Sequence, residues 1–408
     1  MHLNFGYEGA VKSLGLLMEI DLKPPGAGVR CLPLAVGVDV GTSSLKAVAL
    51  TGTVITSSVR IPMAVPTRTS DLWTLFSEAL TGLLPPEARM QVGSLCVSGR
   101  APTLVGIRAD QEDGPVVGWQ SSSTRGNERF YMDSIAKSLA TEDRGLYDAC
   151  RFFVNPHEFL TYRLTGVIRS STPSKLYHPW GGYMTEATRR IREARVDTAR
   201  VAPPAVVGSL IGTVSKKAAD GLGLDPSTRV VMGGWDFMVD LLGSGIIAPG
   251  ELLIRAGTSL AVDALWSRPL EAGGFFSVPH FISGLFVVGR VVRSSLDHLG
   301  DFRVEGQEVA RPFRYDEQEM HRVVEAISSL VNVMGEPSVV ACSGMNALDD
   351  GFFLALSQVL ERGVERVSNP VAEARGAAIV GSIASGLTPT YEEHARTIRS
   401  EREKIEFE

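Results

Sequence analysis

Cysteine is scarce and scattered. The chain has four in 408 residues, Cys31, Cys96, Cys150 and Cys342, and no C-x-x-C pair. That spacing argues against a disulfide framework or a thiol-rich zinc site and fits reduced thiols in a cytoplasmic protein. No basic block occurs either, and 40 basic against 46 acidic side chains leave a net charge of −6, so a nucleic-acid surface is not expected. No apolar run is long enough to span a bilayer, so no membrane partner is expected. The patch Leu14–Met18 is short and closely followed by Glu19 and Asp21, unlike a secretory signal. The chain contains no G-x-x-x-x-G-K-[ST], no H-E-x-x-H and no G-x-G-x-x-G after a strand. His157, His178, His280, His298, His321 and His394 show no metal-ligand spacing.

What is present is a soluble globular composition, 44% apolar and 21% charged, long enough for two domains. Residues 1–33, with the Pro24–Gly28 linker, are expected to be an N-terminal extension. Residues 34–245 and 246–408 are expected to be the two domains, with a hinge at Gly243-Ser244-Gly245.

The most informative stretch runs from Val36 to Val48. An apolar run enters Asp39, Gly41-Thr42-Ser43-Ser44 follow, and apolar alternation resumes around Lys46. The pattern predicts strand, tight turn, strand. Gly41 lets backbone approach a ligand, the hydroxyls and turn amides can donate to phosphate oxygens, and Asp39 can hold magnesium through water. A nucleoside triphosphate needs all three. An ordinary hairpin turn is the competing reading.

Strands are predicted at Leu34–Gly41, Leu45–Thr51 and Val54–Pro62, forming a meander. Others are predicted at Val92–Ser98, Thr103–Ile107, Val116–Trp119, Val230–Gly234, Glu251–Ile254, Leu260–Leu265, Leu285–Val292 and Val339–Cys342. Helices are predicted at Asp71–Leu84, Gly126–Leu139, Pro156–Leu164 (stopped by Gly166), Phe237–Leu242, Asp316–Met334, Asp350–Leu360 and Ala372–Ser385. The charged end, Glu392–Glu408, is expected to be helical or frayed. Both halves share one device, a strand followed by Gly-Thr-Ser: Gly41-Thr42-Ser43 and Gly257-Thr258-Ser259. Two such turns facing each other across a cleft would grip a triphosphate from both ends.

In this order the motifs resemble those of the FGGY carbohydrate kinases (xylulokinase-like), in the actin-like ATPase superfamily, from about Leu34 to about Pro389. Asp39-x-Gly41-Thr42-Ser43-Ser44-x-Lys46 is similar to the family's first phosphate motif. Ser98-Gly99-Arg100 stands at its Ser-Gly-Gln strand end, and Leu160–Gly166 resembles its Tyr-Arg-Leu-Thr-Gly helix. Ile211–Leu222 resembles the segment that leads to the catalytic strand. Gly233-Gly234-Trp235-Asp236 matches the Gly-Gly-x-Asp motif, and Ala256–Ser259 resembles the second phosphate motif. Ser343-Gly344-Met345-Asn346 is similar to the adenosine motif, and Glu373–Ala378 to the Gly-Ala-Ala helix beneath it.

The resemblance implies an α/β fold of two actin-like (ribonuclease H-like) domains, mixed sheets flanked by helices, with an interdomain cleft. It implies ATP and Mg2+ as cofactors, a sugar or polyol such as a ketose as substrate, and Asp236 as general base. Gly41, Thr42, Ser43, Ser44, Lys46, Gly257, Thr258, Ser259, Gly344 and Asn346 would contact ATP, Asp39 the metal, and Arg100, Trp119, Arg125 and Asp236 the substrate. A homodimer is a candidate assembly. Plainer readings stand beside these. Asp236 can serve as a helix N-cap, Lys46 as a solvated strand lysine, Arg100 as half of an internal ion pair, Asn346 as a loop or cap residue, and Asp240 as a structural or solvated acid.

The sequence departs from the family pattern in three places. Trp119 is followed by Gln120-Ser121-Ser122-Ser123-Thr124-Arg125, without the usual carboxylate. Arg100-Ala101-Pro102-Thr103 replaces Gln-Met-His-Gly, and Arg100 is suited to a carboxylate or phosphate. The stretch between Ser259 and Ser343 is short and lacks a Gly-Glu-Arg-x-Pro loop. These changes keep a second reading open: a nucleotide-binding actin-like regulator, or degenerate kinase, that binds ATP without phosphorylating a sugar. An ATPase that activates a partner enzyme is a weaker third, given the lack of paired cysteines for an iron–sulfur cluster.

Overall fold

The computed structural model describes residues 32–64, 66–110, 113–118, 131–257, 259–270, 274–293, 317–361 and 363–405. Trp119, Arg125, Thr258 and most of the expected N-terminal extension therefore lie outside the described residues. Leu32 to Glu408 cluster as one compact unit.

The first sheet begins as the expected meander: β1 (Leu34–Val40), β2 (Ser44–Thr51) and β3 (Val54–Pro62) pair antiparallel in sequence. Strand β4 (Val92–Gly99) then lies parallel to β1 on its other side. Every residue of β1 is buried, the burial expected of a strand covered on both faces. A small sheet of β5 (Thr103–Arg108), β6 (Val116–Gly118) and β7 (Cys150–Val154), and a two-stranded pair of β8 (Ser170–Thr172) and β9 (Pro204–Val206), sit between β4 and the rest of the first sheet in sequence. β10 (Leu210–Thr213) and β11 (Arg229–Trp235) complete it, giving the order β10-β11-β4-β1-β2-β3.

The second sheet repeats the plan. β12 (Glu251–Ala256), β13 (Leu260–Trp266), β14 (Phe276–Pro279) and β15 (Phe286–Arg293) are joined antiparallel. β16 (Val339–Ser343) then pairs parallel with β12, followed by β17 (Val364–Arg366) and the antiparallel β18 (Glu403–Ile405).

Helices α1 (Thr69–Leu83), α2 (Pro86–Arg89), α3 (Met132–Glu142), α4 (Arg144–Ala149), α5 (Pro156–Thr165), α6 (Met184–Glu193) and α7 (Lys216–Leu222) belong to the first half. α5 is built as its sequence reads. Asn155 and Glu158 form a reciprocal capping box, Pro156 sits at the first turn, and Gly166 closes the helix at φ 77°. α8 (Asp236–Gly243) leaves the end of β11, and α9 (Glu317–Met334) and α10 (Asp350–Leu360) cover the second sheet. α11 (Ala372–Ala384) packs on β1 and β4 and against α8, although it follows β17 of the second sheet in sequence; α12 (Tyr391–Ser400) precedes β18.

Glycines make the α8–α11 crossing possible. A Cβ at Gly243 would fall 1.8 Å from the Ala372 carbonyl oxygen, one at Gly376 would fall 1.8 Å from the Val239 carbonyl oxygen, and one at Gly37 would fall 2.0 Å from the Ala374 carbonyl oxygen. The small residues of α11 thus let two helices and a strand touch backbone to backbone, and that contact carries Glu373 to the cleft.

Most predicted elements are found within a residue or two of their bounds. The charged C-terminal segment divides into α12 and then an edge strand, β18. The sequence reading passed over β7–β10, β14, β17, α2, α4, α6 and α7. Several are three to five residues long, and β8 is the polar triplet Ser170-Ser171-Thr172, which no apolar alternation announces.

Candidate active site

The site forms where strand ends from both sheets converge. Asp39 is next to last in β1 and Lys46 faces it across the β1–β2 ladder. Asp236 follows β11. There Gly233 lets the strand press against β4, since a Cβ would meet the Val97 carbonyl oxygen at 1.8 Å. The ladder shifts register between Met232 and Trp235, so β11 turns out of the sheet into α8. From the second sheet come Gly257 and Ser259, between β12 and β13, and the turn after β16.

One cavity of about 990 Å3 is lined by Asp39, Gly41 to Ser44, Lys46, Arg100, Asp236, Asp240, Arg255, Gly257, Ser259, Ser343 to Asn346 and Glu373. The two small-residue turns and the two aspartates expected from the sequence therefore border the same space.

Each turn is tight for a visible reason. The Gly41 amide donates to the Ser44 carbonyl at 3.1 Å, and the Gly257 amide donates to the Ser259 carbonyl at 3.1 Å. Gly344 has φ 98°, and a Cβ there would strike the Ala256 carbonyl oxygen at 2.6 Å. The adenosine-like turn thus lies directly on the second phosphate-like turn. Asn346 ties them together, its Nδ2 donating to the Gly257 carbonyl at 3.2 Å. Ser44 is buried, and its Oγ accepts from Arg60 Nε at 3.1 Å.

The charges form a dense network. Asp39 is 1% exposed; its Oδ1 accepts from Ser98 Oγ at 3.0 Å, while its buried Oδ2 has no hydrogen-bond partner. Burial pushes its carboxyl up to about 8, against the pull of Lys46, with Glu373 and Asp236 adding to the rise. Lys46 Nζ lies 2.6 Å from Glu373 Oε1 and 3.8 Å from Asp39 Oδ2. Burial pulls Lys46 down, but Glu373 and Asp39 outweigh it and its pKa is raised. Glu373 is lowered: burial opposes its charge, and Lys46 overcomes that. The solvated-lysine reading of Lys46 is thereby corrected, because the carboxylate it needs comes from α11, more than three hundred residues away.

Asp236 is half-buried with an edge on the cavity. Burial raises its carboxyl, while Arg255 and the Phe237 amide, which donates to Oδ1 at 2.8 Å, hold the rise down. Asp240, one turn along α8, is buried between Ser244 Oγ (3.0 Å) and Ser343 Oγ (3.2 Å). Its carboxyl is pushed up to about 7 by burial and then by Glu373.

Arg255 and Asp263 were not singled out from the sequence. Arg255 Nε donates to Asp263 Oδ2 at 2.5 Å, and the guanidinium carbon lies 5.9 Å from the Phe237 ring centre. A signal existed: Arg255 interrupts the buried apolar strand Leu252-Leu253-Ile254 just before the glycine turn. Arg100 is 3% exposed, and its Nε and Nη1 are buried without hydrogen-bond partners. Among the described residues no carboxylate forms an ion pair with it, so none of them supports the internal-pair reading.

Among the described residues, the buried histidines His157, His178, His280 and His394 have hydrogen-bond partners within the fold. Burial lowers His157, whose Nε2 lies 2.8 Å from Ser171 Oγ. His178 accepts from the Trp180 amide through Nδ1. Among the described residues no group of three or more His, Cys, Asp or Glu is arranged to hold a metal.

The fold is that of the two-domain, actin-like carbohydrate kinases. A ligand-bound xylulose kinase from Lactobacillus acidophilus superposes with a TM-score of 0.71 at 15% identity, covering 91% of this chain and 93% of that one. A glycerol kinase from Plasmodium falciparum solved with ADP superposes with a TM-score of 0.70 at 12% identity, covering 90% of this chain and 92% of that one. In sequence, a ribulokinase of Geobacillus thermodenitrificans is 27% identical over 136 residues, 31% of this chain and 24% of that protein. An autoinducer-2 kinase of Escherichia coli is 32% identical over 106 residues, 25% of this chain and 19% of that protein. The matched segments thus span a quarter or less of those two relatives' length. No family model matches the chain. In its fold, and in these partial sequence matches, the chain is similar to carbohydrate kinases.

Proposed function

We propose that the chain is an ATP-dependent kinase that phosphorylates a hydroxyl of a small sugar or polyol. One observation carries this reading: Asp39, Asp236 and both small-residue turns line a single cavity. In this account the turns at Gly41–Ser44 and Gly257–Ser259 hold the phosphates from opposite sides, and the Gly344 turn receives the nucleoside against bare backbone. The acceptor hydroxyl lies at Asp236. Its oxygen forms the new P–O bond as the bond to the leaving ADP oxygen breaks, and Asp236 takes the hydroxyl proton. A loose transition state asks mainly for positioning and neutralisation of charge, so a base whose carboxyl is tempered by Arg255 is adequate.

The residues present fit a magnesium ion. Asp39 Oδ2 is a buried oxygen with no hydrogen-bond partner at the cavity edge, and Mg2+ is usually held by one or two carboxylates together with phosphates and waters. Bound there, the ion would neutralise phosphate charge. Lys46 and Glu373 would keep Asp39 in place, and Asp240 would anchor α8 through its two serines.

The reading is tested by ADP release from Mg-ATP across a panel of sugars and polyols. Saturable stimulation by at least one acceptor is expected. ATP binding with silence across the panel would overturn the kinase reading in favour of a nucleotide sensor.

A further inference from the structure

Rows of unpaired donors mark the acceptor side of the cavity. Arg100 leaves the end of β4, the strand between β1 and β11, so its side chain lies between the ends that carry Asp39 and Asp236. It lines the same cavity as Asp39 and Asp236, and those two acids act on its charge, which sets it on the side assigned to the acceptor hydroxyl. Its Nε and Nη1 have no partner. The buried indole nitrogens of Trp180 and Trp235, which line the same cavity, also have none.

An unpaired buried cation is costly, and so are unpaired buried donors. All these groups offer hydrogens and accept none. The complementary ligand is therefore rich in acceptor oxygens and carries a negative charge at the Arg100 end. Tyr177, Trp235, Phe237 and Phe276 give the cavity aromatic surfaces, which suit the C–H faces of a carbon chain. A dianionic phosphate ester fits less well, because among the described residues one unpaired cation would face it while Asp39, Asp236 and Glu373 repel it.

We propose that the acceptor is a polyhydroxy acid, a small sugar derivative whose carboxylate is bound by Arg100. This rests on the kinase reading for the reaction and on Arg100 alone for the substrate class.

The test is calorimetric binding to the full chain, with a non-hydrolysable ATP analogue present. The probes are five- and six-carbon aldonates, the matched neutral alditols and the matched alditol phosphates. We expect at least one aldonate to bind about tenfold or more tighter than its alditol. Arg100→Gln should erase that preference and Arg100→Lys should restore part of it. A thermal melt checks that both variants fold; removing a buried unpaired charge should not lower it.

Equal or tighter binding of alditols, tighter binding of alditol phosphates, no binding of any aldonate, or an aldonate affinity unmoved by Arg100→Gln would each overturn the proposal. Aldonate binding that depends on Arg100 without acceptor-dependent ADP release would overturn the kinase reading and leave this one standing. Phosphorylation of neutral sugars with no aldonate binding would do the reverse.

Discussion

Lys46 and Glu373 meet at 2.6 Å across 327 residues of sequence, joining the β1–β2 hairpin to α11, the helix after β17 of the second sheet. The same ammonium lies 3.8 Å from Asp39, so one cation steadies two acids at the centre of the site. Lys46→Met would leave both carboxylates without it. The expected cost is about 3–5 kcal/mol of stability, read as a lower urea midpoint. Lys46→Met with Glu373→Gln should recover part of it, since that pair leaves one fewer buried charge. A midpoint unchanged in Lys46→Met would contradict this account of the pair.

The α8–α11 crossing makes a second prediction. Gly376→Ala drives a Cβ into the Val239 carbonyl and Gly243→Ala drives one into the Ala372 carbonyl. Neither neighbour is a flexible side-chain end that can swing away. Each variant is expected to lose about 3 kcal/mol or more, and to weaken nucleotide binding because Asp236, Asp240 and Glu373 ride on the two helices. Wild-type melting of both would show that the crossing is looser than described.

Acid sensitivity follows from buried neutral histidines. Burial pulls His178, His280 and His394 down to about 4. His280 uses both ring nitrogens, Nε2 toward the Met238 carbonyl and Nδ1 accepting from the Ile282 amide. In the unfolded chain these groups bind protons near pH 6.5 and in the fold only near 4. Their contribution is whole above about 6.5 and is lost as pH falls through that window, up to about 3 kcal/mol each. The raised Asp39 and Asp240 carboxyls act in the opposite sense over the same range, so the histidine contribution is read by difference: the stability of the wild type relative to His280→Gln should fall between pH 7 and 4.5. A difference between the wild type and His280→Gln that stays constant across that range would sink the argument.

Much of this was legible in the sequence because the site is built from short local motifs. A glycine turn after a buried strand, Gly41 or Gly257, states its geometry in a few letters, and Gly233-Gly234 announces the close approach that turns Asp236 out of the sheet. Pairings across the fold were not legible. Nothing near Lys46 names Glu373, and the serines that hold Asp240, Ser244 and Ser343, come from two different elements. Arg100 presents the reverse case. An ion pair was the natural expectation for a buried arginine, and only the assembled cavity shows that no carboxylate forms that pair among the described residues. The short strands β8, β9, β17 and β18 escaped because three residues carry no periodicity.

The most direct measurement of the central claim pairs two readouts on Asp236→Asn, a nearly isosteric change. With an acceptor that stimulates the wild type, acceptor-dependent ADP release should fall by about two to four orders of magnitude, while the dissociation constant for the ATP analogue stays within a few-fold. In the wild type the rate should decline on the acid side at a pH above that of an ordinary aspartate, because burial raises the Asp236 carboxyl. Near-normal turnover in Asp236→Asn, with nucleotide bound as before, would contradict the assignment of Asp236 as the group that takes the hydroxyl proton.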